Sequence, residues 1–131
     1  MPIVKVYGLV NEMTEEMLVE LYDTILKAVV AVKELKLEEK DVTVFFPKDL
    51  MQKGLGDEVI IFVDGLFERP ERTKEVKKLL ADILVMSTAI FFSKIAEKNV
   101  IIKKPKLIEC FVRSFDPESP NCAFFSFKDN A

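Results

Sequence analysis

The sequence predicts an α+β fold: two βαβ units forming a four-stranded mixed sheet, two helices on one face, and a short C-terminal strand. Three observations predict it. Two long stretches, Met17 to Val32 and Val76 to Ile90, carry apolar residues at helical spacing. Short apolar or alternating runs flank both stretches, as strands do. The strand before each helix ends on glycine, in Val4-Lys5-Val6-Tyr7-Gly8 and again in Ile61-Phe62-Val63-Asp64-Gly65, so one unit echoes the other.

The elements follow in order. Ile3 to Tyr7 alternates and reads as a strand. Asn11 and Thr14 both suit an N-cap, and Glu15 and Glu16 favour a helix start through the dipole. That helix is expected to run to about Leu35, through Met17, Leu18, Leu21, Tyr22, Ile25, Val29 and Val32, with a polar connection from Leu35 to Lys40. Val42 to Phe46 is a second strand, stopped by Pro47. A glycine-bearing loop spans Lys48 to Asp57. Val59 to Val63 is nearly all apolar, as in a strand covered on both faces, and Asp64-Gly65 reads as the turn ending it.

The second helix starts near Pro70 or Thr73 and is expected to reach about Phe92 or slightly beyond. Val76, Leu79, Leu80, Ile83, Met86 and Ile90 mark its inner face. Residues 93–106 extend it and then offer a short strand at Val100 to Ile102. Leu107 to Phe115 reads as a strand, Asp116 to Asn121 as a turn-rich link, and Cys122 to Phe127 as a last strand. Each helix is long enough for a right-handed crossover between parallel strands. This order fits two folds, a ferredoxin-like sandwich and a pair of βαβ halves related by a pseudo-twofold.

Composition narrows the function. The 131 residues make one ordinary domain, 1–131, half apolar and 31% charged. Net charge is -3 and the pI near 5.1, so no basic surplus exists to neutralise phosphates, and no nucleic-acid partner is expected. No uncharged apolar stretch of about 18 residues occurs, and the run Leu79 to Phe92 holds Asp82, so no membrane partner is expected. The N-terminus lacks a charged-then-apolar signal pattern, and a cytoplasmic location with reduced thiols is the default, a Cys110–Cys122 bridge being the alternative. His and Trp are absent while Lys and Glu abound, the direction seen in hyperthermophile proteins. Without His, the chain lacks the commonest general base and the commonest zinc ligand, and two cysteines make a poor metal site.

The opening Met1-Pro2-Ile3-Val4-Lys5-Val6 resembles the tautomerase superfamily, whose members begin with Met-Pro and an apolar strand. Lys36 through Met51, reading KLEEKDVTVFFPKDLM, is similar to the corresponding stretch of its macrophage migration inhibitory factor branch: a Lys after the first helix, an alternating strand, then Pro and Leu-Met. The resemblance implies the pseudo-twofold fold and a chemistry that needs neither metal nor organic cofactor. Removal of Met1 makes Pro2 a secondary amine, the catalytic base. Burial near cations disfavours its charged form and lowers its pKa, so it can take a proton from carbon beside a carbonyl. Nearby cations hold a carboxylate and stabilise the enolate oxygen.

On the same resemblance Lys36 is a substrate-binding cation, with Lys33 and Lys40 weaker candidates. Glu109, Phe111, Arg113 and Phe115 share one face of their strand, with Ile108, Cys110, Val112 and Ser114 on the other. The superfamily uses this strand to supply pocket residues to a neighbouring subunit's proline. Glu109 and Phe111 stand where the family carries Tyr and Asn. Arg113 suits a substrate carboxylate, or an ion pair with Glu109 or another acid. Arg69 and Arg72 alternate with acids in Glu68-Arg69-Pro70-Glu71-Arg72, which reads as a solvated, salt-bridged turn. Tyr7 reads as a core or interface residue, and Phe124, Phe125 and Phe127 as a subunit contact.

A two-helix, four-strand subunit leaves one sheet face bare, and eleven phenylalanines exceed what one helix layer needs. That pattern implies self-association, and the resemblance implies a homotrimer with a small carboxylate substrate. The alternative is a catalytically silent trimer of the same fold, acting as a binding or structural protein.

Overall fold

Two threonines open the two helices of the computed structural model, which describes residues 2–51 and 57–116 together with 118, 123, 125 and 127. Thr14 Oγ1 accepts the Met17 N–H at 3.2 Å and starts α1, Glu15–Ala31. Thr73 Oγ1 accepts the Val76 N–H at 3.2 Å and starts α2, Lys74–Lys98. Four strands complete the fold: β1 Ile3–Tyr7, β2 Thr43–Phe45, β3 Glu58–Phe67 and β4 Leu107–Phe115. The sheet order is β2-β1-β3-β4, with β1/β2 and β3/β4 parallel and β1/β3 antiparallel. Within each unit the two strands flanking the helix are hydrogen-bonded neighbours. A split βαβ arrangement separates them by another strand, so the pseudo-twofold pairing of two units is the one present.

The core lies between the sheet and the helices. Val4 and Val6 of β1 and Val59, Ile61 and Val63 of β3 face Leu21, Ile25 and Val29 of α1 and Leu80 and Leu84 of α2. The alternating partners Lys5, Tyr7 and Phe62, and Phe111 of β4, lie on the opposite, helix-free face. Gly8 ends β1 at φ +90, and a Cβ there would stand 2.1 Å from the Glu58 carbonyl oxygen, so only glycine permits the approach.

Four expectations are corrected. α1 stops at Ala31, because Lys33–Leu35 tightens into a 3-10 turn, and Tyr22 points outward. α2 runs to Lys98, into the extension expected after Phe92, but its inner stripe is Leu80, Leu84, Thr88, Phe91, Phe92 and Ile95. Leu79, Met86 and Ile90 are 43%, 61% and 53% exposed. The helix carries two adjacent apolar stripes, and spacing alone does not tell which one meets the sheet. The same breadth makes α2 long and apolar enough to cross a membrane by length and composition, with 33% of that window buried in the protein. Val100 and Ile101 form no strand. They are exposed in a turn closed by Ile102 N–H to Asn99 O at 3.2 Å, while Ile102 itself is buried. The predicted strand Cys122 to Phe127 falls largely outside the described residues.

The last correction shapes the site. Asp64-Gly65 is not a turn but a bulge inside β3. Val63 pairs with Val112 and Leu66 with Ser114, so Asp64 and Gly65 together oppose Arg113 alone. Gly65 takes φ +73, which an L side chain rarely adopts. The strand is thereby re-aimed, and pairing with β4 continues to Phe67 and Phe115.

Candidate active site

Pro2 is buried at the entrance to β1. It has no N–H to give the ladder, but its carbonyl accepts the Thr43 N–H at 3.1 Å, tying it to the start of β2. Gly65 of the β3 bulge lies beside it, because Ile3 pairs with Asp64. Pro2 and Gly65 form one wall of a cavity of about 230 Å³.

The second wall comes from the connection after α1. Sequence reading makes this a plain polar link, but it is two tight turns. Lys36 closes the first by donating its N–H to Lys33 O at 3.0 Å, and adopts the left-handed conformation at φ 54, ψ 44. A non-glycine residue held there costs on the order of 1 kcal/mol, and the strain persists only where neighbours over-determine it. Glu39–Asp41 forms the second turn, with the Glu38 N–H donating to Asp41 Oδ2 at 2.9 Å. Lys36 and Asp41 both line the cavity.

The third wall is the loop between β3 and α2, which brings Arg69 and Arg72. The salt-bridged turn expected here is not what forms: among the described residues, neither arginine makes an ion pair with Glu68 or Glu71. Glu68 instead pairs with Lys77 at 3.1 Å and accepts a hydrogen bond from Ser114, which holds its carboxyl below the usual range. Arg72 is only 7% exposed. Its Nη1 donates to Phe67 O at 2.9 Å and its Nη2 to Leu35 O at 3.0 Å, while buried Nε has no partner. Burial pushes its pKa down, as does the charge of Arg69, with Glu71 acting the other way. An arginine stays protonated through such a shift. The cavity thus has three cations, Lys36, Arg69 and Arg72, against one acid, Asp41, a surplus of two positive charges. That is a setting for an anion.

Sequence reading therefore brought Pro2 and Lys36 to one place but discounted the two arginines. The available signal was position: Arg72 directly precedes the N-cap Thr73, so it is bound to the start of α2 rather than to a free loop.

Glu109, Phe111 and Arg113 do not line the Pro2 cavity of their own subunit. Arg113 grips Asp64, with Nε to Oδ1 at 2.6 Å and Nη2 to Oδ2 at 2.9 Å, and Lys5 joins at 3.5 Å. Its guanidinium lies 4.8 Å from the Phe62 ring centre, and Phe62 stacks on Phe111 at 5.6 Å. Glu109 hydrogen-bonds Glu58, which raises its pKa, with desolvation and the charge of Glu58 adding to the effect. A larger cleft of about 640 Å³ runs along β4 past Phe62, Phe111, Arg113, Lys77 and Lys78. Its cations are matched by Asp64, Glu68 and Asp82, so it offers no surplus charge. Cys110, also there, is pushed up to about 12 by burial and stays a thiol. The smaller cavity is the one with a surplus of positive charge. Among the described residues no group of three or more Cys, Asp or Glu is placed to hold a metal ion.

No family model matches the chain, and no curated protein matches it in sequence. Solved structures do. A fused 4-OT, an asymmetric trimer, superposes with a TM-score of 0.60 at 14% identity over 87% of this chain and 86% of that one. A member of the cis-3-chloroacrylic acid dehalogenase family gives 0.62 at 16% identity over 94% and 80%. A malonate semialdehyde decarboxylase gives 0.55 at 17% identity over 98% and 92%.

The chain has the tautomerase fold. In terms of that fold, Pro2 opens the first βαβ unit, Lys36 closes the turn after its helix, and Arg69 and Arg72 lie in the loop that joins β3 to the helix of the second unit. The cavity of this tautomerase-fold subunit is therefore built at the junction of its two halves.

Proposed function

We propose that this chain is a cofactor-free tautomerase that moves a proton between carbons of a small keto or enol acid, with Pro2 as base once Met1 is removed. One observation carries the reading: buried Pro2 shares a cavity with Lys36, Arg69 and Arg72. A secondary amine facing those cations is disfavoured in its charged form. It accepts a proton from the carbon beside the substrate carbonyl, and the C–H electrons pass into the carbonyl as an enolate. Lys36 and Arg69 hold the carboxylate and the enolate oxygen. In an unsaturated keto acid the enolate extends into the adjoining C=C, so the protonated amine returns its proton at the far carbon of that dienolate, the carbonyl re-forms, the double bond shifts by one position, and the enzyme is left unchanged. The cavity suits a short acid, and the similar structures named for chloroacrylic acid and malonate semialdehyde support that class.

The assembly belongs to the same reading: a homotrimer with sheets turned inward. Its support is the bare sheet face carrying Tyr7, Phe45 and Phe111, all exposed, and the trimer named for the fused 4-OT. In such a trimer Glu109, Phe111 and Arg113 would serve the cavity of the next subunit.

The test is ketonisation of phenylpyruvate or 2-hydroxymuconate by protein whose mass confirms loss of Met1, compared with Pro2→Ala. Loss of rate in the variant supports the proline base. Equal rates remove Pro2 from the mechanism and leave the binding-protein alternative. A solution mass of one or two subunits would overturn the trimer.

A further inference from the structure

We propose that Arg72 is a positioning residue for the Pro2 cavity: its guanidinium pins the peptide between Leu35 and Lys36 in the conformation that turns Lys36 to the cavity wall. This rests on the reading of the cavity as an acid site. The Leu35 carbonyl and the Lys36 N–H belong to one planar unit. Arg72 Nη2 holds the carbonyl end at 3.0 Å, and Lys33 O accepts from the N–H end at 3.0 Å. With that plane held at both ends, the next rotation is the φ of Lys36, which stands at +54. Lys36 is neither Gly nor Asn, so its own preference is for negative φ. Among the described residues, no other side chain bonds the Leu35 carbonyl. The strain at Lys36 is therefore maintained from across the cavity.

The clamp is itself anchored. Nη1 bonds Phe67 O at 2.9 Å, the Arg72 N–H bonds Arg69 O at 3.0 Å, and the next residue caps α2. Lys36, from the end of the α1 segment, is thus set in register with Arg69, from the loop after β3. The fork of an arginine is required, because two carbonyls of separate segments must be reached from one rigid plane. Neither bond neutralises the guanidinium, since both acceptors are carbonyls. Its charge stays available to the cavity.

The experiment uses full-length protein with isotope-labelled lysine. In ligand-free protein, the Lys36 Cα chemical shift and its N–H to Hα coupling report the left-handed backbone. Arg72→Gln is expected to move both toward ordinary negative-φ values, and an unmoved Lys36 would overturn the proposal. Malonate binding is then measured for the parent, Arg72→Gln, Lys36→Ala and the double variant. If Arg72 acts through Lys36, Arg72→Gln weakens malonate binding about tenfold more in the parent than in Lys36→Ala, where only the loss of its charge remains. Equal losses in both backgrounds would make Arg72 a direct ligand and overturn the positioning role. Arg72→Lys, which keeps the charge without the fork, carries the same two readouts if the glutamine variant fails to fold. If the parent itself binds no malonate, the acid-site reading fails, while the Lys36 shift still decides the clamp.

Discussion

Arg72 and Leu35 lie 37 positions apart, yet the guanidinium of one holds the backbone carbonyl of the other inside the protein. The bond crosses from the loop before α2 to the turn after α1. It ties together two segments that look like polar connections, the second and third walls of the Pro2 cavity.

Stability should register that bond. Arg72→Ala takes the side-chain donor from the buried Leu35 carbonyl and removes the part-buried bond to Phe67 O. Unmet buried acceptors cost about 1–3 kcal/mol each, so a loss of about 2 kcal/mol or more is expected in urea unfolding. Arg69→Ala, which breaks no bond of this kind, is expected to stay within about 0.5 kcal/mol.

Arg69 should instead register in binding. Its charge faces the cavity without an ion-pair partner among the described residues. A charge-assisted bond to a carboxylate contributes about 1.5–3 kcal/mol, so Arg69→Ala is expected to weaken malonate binding about tenfold or more. Isothermal titration of matched samples checks it, and unchanged affinity would remove Arg69 from the site.

The two apolar stripes of α2 are separable by mutation. Leu84→Ala opens a cavity in the core and is expected to cost about 2–5 kcal/mol. Met86→Ala, on the exposed stripe, is expected to stay within about 0.5 kcal/mol for the isolated subunit. Thermal unfolding of both variants at low protein concentration decides between the stripes.

Gly8 allows a similar check. Alanine there meets the Glu58 carbonyl oxygen and must hold φ +90, so β1 and β3 have to part. A loss of more than about 2 kcal/mol is expected, by chemical denaturation.

The two perturbed glutamates should titrate on opposite sides of 4.5. Glu109 is raised by its hydrogen bond to Glu58, so its contribution to stability is complete below the unfolded value and is lost as pH rises through the folded one. Glu68 is lowered by Ser114 and then Lys77, so its contribution is present above the unfolded value and is lost as pH falls through the folded one. Carboxyl carbon shifts followed from acid to neutral pH test both, and Glu109→Gln is expected to flatten the rise side only.

The strands β1 and β4, both helix starts and the mixed sheet were legible in the sequence, because each depends on neighbours along the chain. Period-two alternation marks Ile3–Tyr7 and Leu107–Phe115, and a threonine followed by acid or lysine marks Thr14 and Thr73. Pro2 and Lys36, singled out through the Met-Pro opening and the lysine after the first helix, line one cavity. The bulge at Asp64-Gly65 was not legible, since the same dipeptide ends many strands, and only pairing on both sides of β3 carries the strand through it.

What the sequence determined by itself is the set of elements and their order, because secondary structure answers to periodicity and caps within a few residues. What only the tertiary structure decided is which faces meet and which charges are left without partners. The sheet selected Leu80 and Leu84 over Leu79 and Met86 because burial, not spacing, chooses between adjacent stripes. Packing of the two βαβ halves drew Arg72 away from the acids beside it and onto the carbonyls of Phe67 and Leu35. Arg113 likewise took Asp64, brought opposite it by the bulge, rather than Glu109 on its own strand. Long-range contacts set the electrostatics of the site, and they are absent from any local window of the chain.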